Sequence, residues 1–179
     1  GNKDIAVLLG SVYNAGTMVM IAHGTGGLNY SVSPNEYYGV SRSTKIRSFD
    51  VDRDDRDDLV VASTFLLQTN YQNYVGISNN SINVLINKGP SGFEAPRVTR
   101  WTSALLGASD LNSDGYMDLV TSWTTTYNGT SSLDVSLNDR RRGLLPELSF
   151  DTPEALVDMK IADLNGDGKA DVVTAHGYQ

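Results

Sequence analysis

The stretch 163-DLNGDGKAD-171 puts oxygen-bearing side chains at every second position, Asp163, Asn165 and Asp167, and closes on Asp171. A near-copy stands at 110-DLNSDGYMD-118, and a looser one at 50-DVDRDDRDD-58, where Asp55 replaces the glycine of the other two. Carboxylates this close repel one another. Either a cation sits among them, or a turn uses each for its own backbone hydrogen bonds.

Working outward, each stretch runs straight into an aliphatic pair: Leu59-Val60, Leu119-Val120 and Val172-Val173. The opening Gly1-Asn2-Lys3-Asp4-Ile5-Ala6-Val7 reads as the second half of a fourth copy with the same apolar exit. The closing aspartates Asp4, Asp58, Asp118 and Asp171 are 54, 60 and 53 residues apart. A period of that size marks stacked supersecondary units. Within each unit, apolar alternation predicts short strands entering the loop (KIRSFD, SALLGASD, DMKIAD) and leaving it (DLVVAS, DLVTSW, DVVTAH). A third strand follows (TMVMIAHG, SINVLINKG, SLDVSLND), and then a fourth (FEAPRVTR, ELSFDTPE). Four antiparallel strands per repeat, without helical periodicity, predict an all-β protein built of β-propeller blades. About three blades are present, beginning and ending inside a blade. Residues 1–179 therefore read as one repeat segment of a larger ring, which the rest of its own polypeptide, other copies or another protein would complete.

The totals narrow the chemistry. There is no cysteine, which excludes disulfides, thiol catalysis and thiolate metal sites. No apolar run reaches the length of a membrane-spanning helix. The net charge of −7 argues against nucleic acid and against anionic membrane surfaces. That charge is local: the three loop stretches carry −9 between them, and the remaining residues +2.

Calcium, a hard cation, takes six to eight oxygen ligands in a flexible shell. In a tightly curled loop, side chains at positions 1, 3 and 5 converge, and glycine at 6 allows a left-handed turn. Position 7 is then free to vary in side chain while offering its carbonyl, and an aspartate at 9 closes the shell. An EF-hand would close on glutamate at 12 between helices, whereas here a strand begins at once. A phosphate site needs backbone N–H groups and lysine rather than a ring of carboxylates. Magnesium prefers to keep its waters in a strict octahedron. Ordinary turn chemistry explains one such loop easily, but three in phase less well. Loop 50–58, with six carboxylates and Asp55 in the left-handed position, is expected to be the most labile of the three in chelator.

DLNSDGYMDLV and DLNGDGKADVV, with INVLINKG and a remnant GFEAP at 92–96, resemble the FG-GAP/VCBS repeat family of integrin α-subunit-like propellers. The resemblance implies a ring, commonly seven-bladed, with calcium held in the hairpin between a blade's first two strands. It implies three sites: Asp50, Asp52, Asp54 and Asp58 with the carbonyl of Arg56; Asp110, Asn112, Asp114 and Asp118 with that of Tyr116; Asp163, Asn165, Asp167 and Asp171 with that of Lys169. It also implies an extracellular or cell-surface setting. The expected function is a calcium-stabilised, non-catalytic recognition or adhesion module for a protein or glycan ligand, without direct membrane insertion. No enzyme is expected, since the two histidines, His23 and His176, read as surface or satisfied residues. The alternative is a carbohydrate-binding module, or the targeting lobe of a secreted enzyme whose catalytic domain lies elsewhere. Tyr- and Asn-rich segments read as loops at 28–39 and 68–80 favour that alternative, because aromatic faces and amides suit sugars. Trp101 and Trp123 are expected to pack on the sheets, and DRRRG at 139–143 to cap a hairpin.

Overall fold

Alternation sets the architecture. In the computed structural model, Leu59 and Val61 pack to one side of their strand, and Val60 and Ala62 to the other, so both faces of that sheet are buried. The structure describes residues 3–9, 17–40, 43–66, 78–100, 106–124 and 131–177. Thirteen strands among the described residues form four antiparallel sheets. The first is β1 (Ile5–Leu9), β2 (Thr17–Gly26) and β3 (Asn29–Val40); the second is β4 (Ser43–Phe49), β5 (Asp58–Leu66), β6 (Ser78–Leu85) and β7 (Arg97–Arg100). The third is β8 (Leu106–Ser109), β9 (Asp118–Thr124), β10 (Ser131–Ser136) and β11 (Leu148–Thr152), and the fourth pairs β12 (Ala155–Ala162) with β13 (Asp171–Gly177). In every sheet neighbours in space are neighbours in sequence. The expected four-strand unit is thus present twice in full, flanked by a three-stranded and a two-stranded unit.

The sheets stack face to face through three apolar layers. Val19 and Ile21 of β2 meet Leu59, Val61 and Leu85. The opposite face, Val60, Ala62, Ile82, Val84 and Ile86, takes Leu119 of the next sheet and Val51 from the loop between β4 and β5. Val120, on the far face of β9, meets Leu156 and Met159 of β12. First strands come together, β4 against β8 and β8 against β12. Gly107 allows the second approach, since a Cβ there would stand 2.8 Å from Ile161 Cδ1. The outermost faces stay open: Ile5, Met18 and Tyr30 on the first sheet, Val157 and Val173 on the last, are exposed.

One reading is corrected. Residues 28–39, expected to form a loop, are mostly strand β3. It lies at the edge of its sheet, and its register with β2 shifts between Met20↔Tyr37 and Ala22↔Val32. Pro34 falls inside that irregularity, where its missing N–H breaks no ladder bond. Of 68–80, the last three residues open β6 and 68–77 lie outside the described residues, as do Trp101 and the Trp123 side chain.

The stacked cores carry the stability. Leu85 is fully buried between the first two sheets. Leu85→Ala should cost about 2–5 kcal/mol in urea unfolding, whereas Val157→Ala, on the open outer face, should change stability by less than about 0.5 kcal/mol.

Candidate metal centres

The three acidic loops join β4 to β5, β8 to β9 and β12 to β13, and they fold alike. Position 1 accepts the turn's N–H groups: Asp110 takes those of Asp114 (3.0 Å) and Gly115 (2.8 Å), and Asp50 those of Asp54 (3.1 Å) and Asp55 (2.9 Å). Asp163 accepts from Gly166 (2.7 Å) and Gly168 (2.8 Å). Position 5 accepts from the N–H of position 7: Arg56 to Asp54 (3.1 Å), Tyr116 to Asp114 (2.8 Å) and Lys169 to Asp167 (2.8 Å). Position 6 is left-handed in all three, at φ 63° for Asp55, 86° for Gly115 and 83° for Gly168, so Asp55 does adopt the glycine conformation. Position 4 is left-handed as well, in Arg53, Ser113 and Gly166. Only the third loop displays that with a glycine, so the other two gave no sequence signal.

The aspartate at position 9 braces the loop. Asp58 and Asp118 are completely buried. Asp58 Oδ2 accepts from Val51 N–H and Oδ1 from Asn87 N–H, both at 2.8 Å. Asp118 repeats this with Leu111 (3.0 Å) and Asn138 (2.8 Å), and Asp171 accepts from Leu164 (3.0 Å). Each complete brace ties the second loop residue to the end of the third strand. Asn87 and Asn138 were not singled out by sequence reasoning. Asn138 Nδ2 also donates to Met117 O (3.3 Å) and, across the sheet interface, to Val51 O (3.0 Å). An asparagine two residues past the third strand in both complete units was the available signal.

Turn chemistry therefore accounts for the carboxylates at 1, 5 and 9. It does not account for Asp52. Its side chain is 7% exposed, and neither oxygen receives a hydrogen bond. Arg142 Nε approaches Oδ2 to 2.7 Å as an ion pair but off the hydrogen-bonding angle. In the other two loops position 3 is asparagine, and its Oδ1 accepts the position-5 N–H, at 3.0 Å for Asn112 and 2.8 Å for Asn165. Asp52 instead turns inward, and one ligand atom each from Asp50, Asp52 and Asp58 lie within 4.8 Å of one another. Among the described residues this is the one such cluster. Asp54, predicted for the same shell, pairs with the Arg56 guanidinium. Asp114 pairs with Arg140 Nη2 at 2.9 Å. Arg142 compensates one charge, but neither Asp52 oxygen is taken up by a hydrogen bond, so the oxygens gathered from Asp50, Asp52 and Asp58 fit a hard cation.

Electrostatics follow burial. Desolvation holds the Asp58 carboxyl above the ordinary carboxylate range, against the N–H groups of Asn87 and Val51, with Asp52 and Asp54 adding to the rise. Its contribution to metal-free stability is present below the ordinary pKa and lost as pH rises through the raised one. Asp114, held by the Tyr116 N–H, and Asp163, held by the Gly168 N–H, lie below the ordinary range. Theirs is the opposite sign: stability present above the unfolded pKa, lost as pH falls through the lowered value.

Among known protein families, residues 110–174 match the FG-GAP-like repeat. Those residues are an FG-GAP-like repeat. The match begins at the first aspartate of the second loop and ends inside β13, so the repeat spans two acidic loops and the strands between them. No curated protein matches the chain.

Within the FG-GAP-like repeat, the arginine-rich segment 139–143 forms the turn from β10 toward β11, as expected of a cap. Two of its three arginines turn to the loops, Arg140 to Asp114 and Arg142 to Asp52. His23 Nδ1 lies 3.0 Å from Asp4 Oδ2. The exposed His176 has Thr174 Oγ1 at 3.0 Å and the Glu154 carbonyl, not a carboxylate, behind its ring.

Neighbours change the expected order of lability. Loop 50–58 is held by Arg142 and packs Val51 into the core, while residues 162–169 are exposed throughout. Limited proteolysis in chelator should therefore cut 163–171 before 50–58. Asp118→Asn, which removes one of two acceptors from backbone N–H groups, should cost about 1–3 kcal/mol in chelator and more in calcium. Asn112→Ala, whose Oδ1 accepts only a turn N–H that Asp110 also receives, should cost less without calcium than Asp118→Asn and lose more when calcium is present, as read by denaturation in both conditions.

Proposed function

We propose that the chain is a calcium-stabilised segment of a β-propeller, commonly seven-bladed in this family, serving as a non-catalytic recognition or adhesion module of an extracellular protein. The metal reading is carried by the buried Asp52 carboxylate without hydrogen-bond donors, set against Asp50 and Asp58. The ring is supported by sheets that stack face to face, meet along their first strands, and leave apolar faces open at both ends.

In the first loop Asp50, Asp52, Asp54 and Asp58 would hold the ion with the Arg56 carbonyl. Asp110, Asn112, Asp114 and Asp118 with the Tyr116 carbonyl, and Asp163, Asn165, Asp167 and Asp171 with the Lys169 carbonyl, would do so in the others. Bound calcium supplies charge compensation, and three ions would bring the net −7 to about −1. The chain's own residues supply the rest: position 1 curls the loop and position 9 anchors it. Extracellular calcium, about millimolar, fills even weak oxygen sites. Protein and glycan ligands both fit an adhesion role, with no part for nucleic acid or membrane insertion.

Calcium should raise the melting temperature over chelator, each filled site adding about 2.7 kcal/mol at a hundredfold excess over Kd. The increment should shrink toward acid pH, as protons compete for the carboxylates. Identical melting in calcium and chelator rejects the reading. Adhesion to immobilised protein or glycan ligands should be calcium-dependent, and loss of that dependence with melting still calcium-sensitive would leave only a structural role.

A further inference from the structure

Arg142 stands between two carboxylates that belong to the neighbouring sheet and its loop. It lies in the turn from β10 toward β11 and helps line the apolar space between the second and third sheets, with Val51, Val84 and Leu144. From that base its Nε meets Asp52 Oδ2 at 2.7 Å, and its Nη1 lies 3.6 Å from Glu94 Oε1. A small pivot of one guanidinium exchanges the first partner for the second.

The two partners are held differently. Asp52 is buried and takes no hydrogen bond from Arg142, so charge alone joins them. Glu94 is fixed from its own sheet, by Lys88 Nζ at 2.8 Å and Arg97 Nη2 at 2.6 Å. It stays in place whichever way Arg142 leans.

Turn construction does not call for an arginine here. The bridges Asn87↔Phe93 and Asn138↔Leu144 align the two turns, and Arg142 then matches Ser91 of the second sheet. Arg142 also adopts φ 69°, a left-handed conformation that glycine takes at less cost. What its head touches accounts for the residue better than the turn does.

We infer that Arg142 is a displaceable counter-ion of loop 50–58: it neutralises Asp52 in the calcium-free protein and passes to Glu94 when calcium takes that carboxylate. The inference rests on the calcium reading above. A guanidinium and a divalent ion on one buried carboxylate repel each other strongly. By linkage, the Arg142–Asp52 pair therefore weakens calcium at this loop, and the second home at Glu94 strengthens it. Position 3 of the other loops is a neutral asparagine that accepts a turn N–H, so it needs no such counter-ion. Arg56 answers Asp54 from within the loop, whereas Arg142 carries the loop's metal state to the next sheet.

Calorimetric calcium titration of the 179-residue chain tests this, in about 0.15 M salt to screen distant charges. Arg142→Gln should tighten one calcium step at least about tenfold, and adding Asp52→Asn should remove that step. Arg141→Gln, an equal charge change at the exposed neighbour, should alter it less than about twofold. Glu94→Gln should weaken the step at least about threefold in the native chain and leave it unchanged in Arg142→Gln. In thermal melts, the Arg142–Glu94 coupling from the double-mutant cycle should be larger in calcium than in chelator. Calcium bound no more tightly by Arg142→Gln, a Glu94→Gln effect that persists without Arg142, or equal coupling in both conditions would each overturn the inference. Should Arg142→Gln not fold, calcium binding by Glu94→Gln as tight as the native chain's overturns it alone. Calcium heat that none of these variants moves sinks the counter-ion only, and no heat from the native chain sinks it together with the calcium reading.

Discussion

A fully buried carboxylate, shared between two backbone N–H groups from different parts of the chain, organises this structure. Asp58 and Asp118 each gather the second residue of an acidic loop and the residue two beyond the third strand. Neither partner lies near the other in sequence. The charge is tolerable inside because both oxygens are bonded, and burial still pushes Asp58 upward. The brace sets where the loop sits, the loop sets where Val51 enters the apolar layer, and that layer joins one sheet to the next. Local turn chemistry and long-range packing are thus fastened at one side chain.

Much of this was legible in the sequence, for definite reasons. The loops recur at a spacing of 53 to 60 residues, and a turn-forming acidic run followed at once by a short aliphatic pair without helical periodicity reads as a turn entering a buried strand. Strands β4, β5, β8, β9, β12 and β13 fall where the flanking motifs placed them. Tyr-rich 28–39 misled because its polarity suits a loop, yet an edge strand also tolerates polar residues and a proline.

At the site, the sequence could mark oxygen donors but could not say which are spare. Six carboxylates in loop 50–58 look alike on paper. In three dimensions Asp50 is engaged by N–H groups, Asp54 by Arg56, and Asp52 alone faces inward without a hydrogen bond. The bracing asparagines and the inward arginines lie in a neighbouring turn or sheet, so no local pattern exposes them. Left-handed Arg53 and Ser113 were hidden because only glycine advertises that conformation.

The main chain of Val51 is grasped at both ends: its N–H by Asp58 of its own loop, its carbonyl by Asn138, whose own N–H holds Asp118 of the next. Successive loops therefore behave less like separate beads than like neighbouring spins in a row, each biased by the state of the one beside it. Order in such an array spreads from unit to unit, and damage to one loop is felt first next door rather than across the whole molecule.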